Sequence, residues 1–161
     1  MERVDLLIPG VVGRYVFYNN SVWDNYDAGA GPSDDLAIAT DKCPLLPDGL
    51  ASFANYTSYS RGINGIMVDI AGLAANPSAA DFEFKIGNTA TLAAWVPGPS
   101  PATVSVRGGA GVSASDRITL IWPDGAIRNQ WLQTAVLPTP NTGLSTPDVF
   151  ERKGPQWRWP V

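Results

Sequence analysis

The sequence of 161 residues contains no histidine. That absence excludes Ser-His-Asp and Cys-His catalysis, and every metal site that relies on imidazole ligands. A single cysteine, Cys43, excludes an intrachain disulfide, a Cys-x-x-Cys redox motif and a four-cysteine zinc site. Without a histidine to activate it, Cys43 reads as a small buried hydrophobe. Charge is scarce: 16% of residues are charged, against roughly 25% in an average soluble protein. Glutamate is scarcer still, supplying three of the 15 acids, and it is aspartate rather than glutamate that suits turns and loops. The net charge of −4 argues against a nucleic-acid partner, which needs a basic stripe. No run of roughly 18 apolar residues occurs, so no membrane span is expected.

What remains is a chain of about one domain's length, rich in turn formers, with 16 glycines and 14 prolines. Short alternating runs recur along it. Residues 14–18 (Arg-Tyr-Val-Phe-Tyr) read as a strand. Residues 51–60 carry Phe53, Tyr56 and Tyr59 among Asn, Ser and Thr, and are also read as a strand. Ile66, Val68 and Ile70 alternate with Met67 and Asp69, predicting a half-buried strand. Phe82, Phe84 and Ile86 alternate with Glu83 and Lys85 in the clearest pattern of all. Val104 and Val106 begin another strand, and Gly108-Gly109-Ala110-Gly111 ends it. Ile118, Leu120 and Trp122 precede Pro123-Asp124-Gly125 and a second apolar run from Ile127 to Val136, which predicts a hairpin over 116–136. Turn signals every 8–12 residues and no long helical period predict an all-β fold, a jelly-roll-like β-sandwich. The domain is expected over residues 13–150. Residues 1–12 read as a non-native or flexible lead, too short and too acidic for a signal peptide. Residues 151–161, with three bases and one acid, read as a non-native tail.

Two surface chemistries stand out. Between Asn19 and Asp48 the chain has six aspartates and one base, Lys42, a local charge of −5. Asp24, Asp27, Asp34, Asp35 and Asp41 supply hard oxygen donors of the kind Ca2+ prefers, although the spacing is not that of an EF-hand. A solvated acidic loop held by Asx-turns is the competing reading. The second chemistry is aromatic. Sugar sites pair flat rings, which meet the C–H face of a pyranose, with amides, carboxylates and arginine for the hydroxyls. Tyr56, Tyr59, Trp95 and Trp131, with Arg61, Asn129 and Gln133, fit that composition. Asn129, Trp131 and Gln133 alternate, and on a strand they would share one face. Trp95, among Pro97, Pro99 and Pro101, reads as an exposed platform, and Trp122 as core.

The segment from Gly13 to Phe150 resembles a β-rich module of very large secreted bacterial proteins, often found near dockerin-like C-terminal regions. The resemblance rests on Phe17-Tyr18-Asn19-Asn20-Ser21, on the run from Asn55 to Ile66 (Asn-Tyr-Thr-Ser-Tyr-Ser-Arg-Gly-Ile-Asn-Gly-Ile), and on Trp122-Pro123-Asp124-Gly125-Ala126-Ile127 with Asn129-Gln130-Trp131-Leu132-Gln133. It implies an extracellular or cell-surface setting beside other domains of a larger protein, and it brings no assigned activity. The functional expectation is a non-catalytic module that binds a polysaccharide or other glycan, or mediates adhesion, stabilised by calcium. Two alternatives stand beside it: a small glycoside hydrolase working through Asp and Glu carboxylates such as Asp69 and Glu83, and a structural spacer.

Overall fold

The computed structural model describes residues 8–154. Eight strands form two four-stranded antiparallel sheets: β1 (Gly10–Val16), β2 (Gly65–Ala71), β3 (Phe82–Gly87), β4 (Val96–Pro97), β5 (Thr103–Arg107), β6 (Asp116–Ile121), β7 (Trp131–Val136) and β8 (Asp148–Lys153). The first sheet has the order β1-β2-β6-β5 and the second β4-β3-β7-β8. The chain therefore lays down neighbouring strands two at a time, alternating between the sheets. Among the described residues, helical structure is confined to 3-10 segments of three to six residues.

The all-β sandwich follows from alternation. Ile66, Val68 and Ile70 of β2 and Ile118 and Leu120 of β6 face Phe82 and Phe84 of β3, Leu132 and Val136 of β7, and Phe150 of β8 in one core. Trp122 completes it, edge-on to Phe84 at 5.2 Å between centroids, with its indole N–H donating to the Pro99 carbonyl at 2.8 Å.

Four sequence expectations change. Strand β2 is buried on both faces, not one. Phe17, Ala37, Met67 and Ile121 form a second apolar cluster on the outer side, where the long β1–β2 connection folds back over the first sheet. Asp69 is buried there too, because Arg117 stands opposite it across β2 and β6 and donates to both carboxylate oxygens at 2.8 and 3.0 Å. Residues 51–60 form no strand: a 3-10 turn spans Phe53–Asn55, and only Tyr56 bridges to Lys153. The run over 116–136 is not a hairpin, since β6 and β7 belong to different sheets. Pro123-Asp124-Gly125 turns the chain from one sheet to the other. It is held by Gly125 N–H on the Arg61 carbonyl at 2.8 Å and by Asp124 accepting from the Asn64 amide at 2.9 Å, while Ile127 plugs the core between the sheets. Cys43 is exposed rather than buried, its segment lying outside both apolar clusters.

The strands also extend past the expected limits of 13–150. β1 begins at Gly10, with a bulge between Val11 and Gly13, and β8 continues through Glu151, Arg152 and Lys153 in register with Gln133, Leu132 and Trp131. The remainder of the segments 1–12 and 151–161, up to residue 7 and from residue 155, lies outside the described residues. Among the described residues no helix is long and apolar enough to cross a membrane.

Candidate functional site

Strands β3, β7 and β8 end side by side, with Gly87 opposite Trp131 and Trp131 opposite Lys153. Over these ends lies an open hollow of about 540 Å³, walled by the 45–51 loop, Tyr56 and the 88–95 loop. Each aromatic group in it has a local reason for its position. Trp95 lies across Gly87, where a Cβ would overlap the indole ring, and its N–H donates to the Thr89 carbonyl at 2.9 Å. Tyr56 meets Trp131 edge-on at 5.6 Å, and the exposed Phe53 meets Tyr56 edge-on at 5.9 Å. The Lys153 ammonium sits 5.8 Å from the Tyr56 centroid and 5.7 Å from that of Trp131, a distance at which the ring faces attract a cation. It also donates to the Asn88 side-chain oxygen at 3.2 Å, which leaves the Asn88 amide nitrogen to donate to the Asn129 carbonyl at 2.8 Å.

The structure thus brings Tyr56, Trp95 and Trp131 together, as a sugar site would require. Asn129 does not alternate with Trp131 on a strand, because β7 starts at Trp131 and Asn129 sits in the preceding turn at φ 55°. Gln133 does share the Trp131 side of β7, and its amide donates to Glu151 at 3.2 Å, so it braces a carboxylate that lines the hollow. Asn88 and Lys153 belong to this site and were missed in the sequence. Lys153 fell in the segment read as a tail, and Asn88 carries no signal apart from its place after the alternating run.

Tyr59 and Arg61 lie elsewhere, in a shallow groove of about 420 Å³ shared with Tyr18, Trp23 and Tyr26. The Tyr59 hydroxyl donates to the Asn19 carbonyl at 2.8 Å, and its ring packs at 4.9 Å from Tyr18. Arg61 is ion-paired with Asp124. Burial works against ionisation of Asp124, but the Asn64 amide and the Arg61 guanidinium together outweigh it and hold its pKa below the usual range. Trp23 and Tyr26 were missed because aspartate dominated the reading of their loop.

The five expected calcium ligands are spread over separate tasks. Both carboxylate oxygens of Asp24 accept backbone N–H groups, from Asn20 and Ser21, each at 2.8 Å. Asp27 accepts from Gly29 at 2.9 Å, and Asp34 from Gly31 at 2.9 Å. Asp35 bridges Arg107 and Arg117, which oppose each other across β5 and β6 and would otherwise repel. Asp41 is exposed beside Lys42. Among the described residues no group of three or more carboxylates is placed to hold a metal ion. The local charge of the stretch is met by capped turns and by arginines. One acid is exceptional: Asp34 is fully buried, and its second oxygen has no partner among the described residues. Burial pushes its pKa up to about 6, the Gly31 amide pulling down and the charges of Asp24 and Asp27 pushing up.

Asp69 and Glu83 form no carboxylate pair. Asp69 is locked to Arg117 on the first sheet, and Glu83 projects to solvent from the second. Compared with family models, with curated proteins and with solved structures, the chain matches none.

Proposed function

We propose that this domain is a non-catalytic carbohydrate-binding module, with the hollow over β3, β7 and β8 as its ligand site. One observation carries the reading: Tyr56, Trp95 and Trp131, distant in sequence, converge on one open hollow whose polar lining includes Asp48, Asn88, Glu151 and Lys153, beside leucines of the 45–51 and 88–95 loops. Rings supply apolar faces for the C–H side of a sugar, and the amide, carboxylates and ammonium supply partners for its hydroxyls. A volume of about 540 Å³ lies within the usual range for small-ligand sites, roughly 300–1,000 Å³. An extracellular setting beside other domains belongs to the same proposal and rests on the family resemblance. Calcium is left out of it, since Asp24, Asp27, Asp34, Asp35 and Asp41 serve separate local contacts and do not gather as a group of three among the described residues.

Affinity electrophoresis on a panel of polysaccharides tests the reading. Retardation on at least one neutral polymer, lost in Trp131→Ala while the far-UV spectrum is kept, supports it. No retardation on any member of the panel refutes it. Release of reducing sugar, abolished by Glu151→Gln, would instead favour the hydrolase alternative, because Glu151 and Asp48 are carboxylates that line the hollow.

A further inference from the structure

The second groove shows its own signs of being a surface made for contact. Trp23 and Tyr26 are 61% and 64% exposed, on a turn that gains no burial by displaying them. Asn25 and Tyr26 are both left-handed, at φ 60° and 56°. A bulky aromatic residue in that region is strained and persists only where its surroundings enforce it. Here Asp24 enforces it by capping Asn20 and Ser21, and Tyr26 N–H closes the turn on the Ser21 carbonyl at 2.7 Å. Backbone strain is thus accepted at Tyr26, whose ring is held in water next to that of Trp23. Beside them lie polar groups suited to hydroxyls: the Arg61–Asp124 ion pair and the exposed Ser58 and Ser60.

The groove and the hollow are also neighbours. Tyr56 lines the hollow, and Ser58 to Arg61 line the groove, so one chain segment borders both. Even fully extended, the five steps from Tyr56 to Arg61 span no more than about 18 Å, the length of a short oligosaccharide. The acidic stretch borders both sites as well, through residues 20–23 and 26 at the groove and 45–50 at the hollow. At the sites themselves charge is balanced, with Lys153 beside Asp48 and Glu151 at the hollow and Arg61 paired with Asp124 at the groove, which gives no excess of positive charge to draw uronate or sulfated chains.

We propose that the hollow and the groove are two subsites for a single neutral glycan chain, so that the ligand is a polymer gripped along its length and not a free sugar or a chain end. This rests on the carbohydrate reading of the hollow. Calorimetric titration with cello-, manno- and xylo-oligosaccharides, from disaccharide to octasaccharide, tests it. For the ladder that binds, affinity should rise with chain length and then level off. The double variant Trp23→Ala/Tyr26→Ala should leave the disaccharide dissociation constant unchanged and weaken the octasaccharide by about tenfold or more. Both rings are exposed, so the variant should fold, and an unchanged melting temperature checks this. Affinity independent of length, or an octasaccharide indifferent to the double variant but sensitive to Trp131→Ala, overturns the two-subsite inference and leaves the hollow standing. Tighter binding of oligouronates overturns the neutral-chain part. Failure of every ladder to bind defeats the carbohydrate reading and this inference together.

Discussion

Replacing Arg152 by methionine should stabilise the protein. Arg152 occupies β8 in register with Leu132, two residues after the core residue Phe150, so the alternation places an apolar side chain at its position. Instead a guanidinium with 1% exposure lies there. It donates once, to the Arg14 carbonyl at 3.0 Å, and its Nε and Nη1 have no partner among the described residues. Burial pulls its pKa down to about 10, with the nearby Cys43 and Tyr18 opposing that only weakly. A base with a depressed pKa in the folded state destabilises it wherever the base is charged. The cost is complete below pH 10 and is relieved only as pH rises above that value. At 1.36 kcal/mol per pKa unit, that amounts to about 3 kcal/mol at neutral pH.

Methionine removes the charge and buries an apolar chain of similar length. It also strips the Arg14 carbonyl of a donor, at about 1 kcal/mol. The net expectation is a gain of about 2–4 kcal/mol, consistent with the effect of replacing buried ions by well-packed apolar residues. Urea unfolding should show a higher midpoint at an unchanged slope. Thermal unfolding should shift upward by roughly 5–15 °C for a domain of this size. Arg152→Lys keeps the charge and should give no gain. If Arg152→Met lowers the midpoint, the guanidinium is satisfied in the folded protein and the account of β8 is wrong.

Other perturbations have equally definite signs. The Asp34 carboxyl is raised to about 6 in the folded protein, so it favours folding below pH 3.8 and loses that contribution as pH rises through 6. Asp34→Asn should therefore gain on the wild type toward neutral pH, by on the order of 2 kcal/mol, and lose the advantage in acid; urea titrations across pH would show it. Asp69→Asn leaves Arg117 buried with only Asp35 as counter-ion and should cost about 3 kcal/mol by urea unfolding. Gly65→Ala puts a Cβ 2.5 Å from the Phe17 ring and should cost about 1–3 kcal/mol. Gly10→Ala, with open space around it, should stay within about 0.5 kcal/mol in the same assay.

Where strand and core were written in alternation, the sequence was sufficient. Phe82 to Ile86 predicts β3 and its facing, and Trp122 reads correctly as core. Where a loop covers a strand, alternation misleads. Met67 and Asp69 look like an outward polar face, but the long β1–β2 connection buries them, and no local pattern announces that cover. Asp124-Gly125 carries the chemistry of a hairpin turn. The partners that redirect it, Arg61 and Asn64, stand about sixty residues away in the chain. The same distance problem divides the site. The sequence names the aromatic residues of the hollow, and only the fold separates them from Tyr59 and Arg61. The aspartates have a role that composition does not announce: both oxygens of Asp24 accept backbone amides at 2.8 Å and so cap their turn.

The most direct test of the central claim is to follow the tryptophan indole N–H resonances while the polysaccharide identified by electrophoresis, cut to soluble oligosaccharides, is titrated in. The hollow predicts concentration-dependent shifts of the Trp95 and Trp131 signals, with Trp122, sealed in the core, unmoved. Saturable binding that leaves Trp95 and Trp131 unshifted would contradict it.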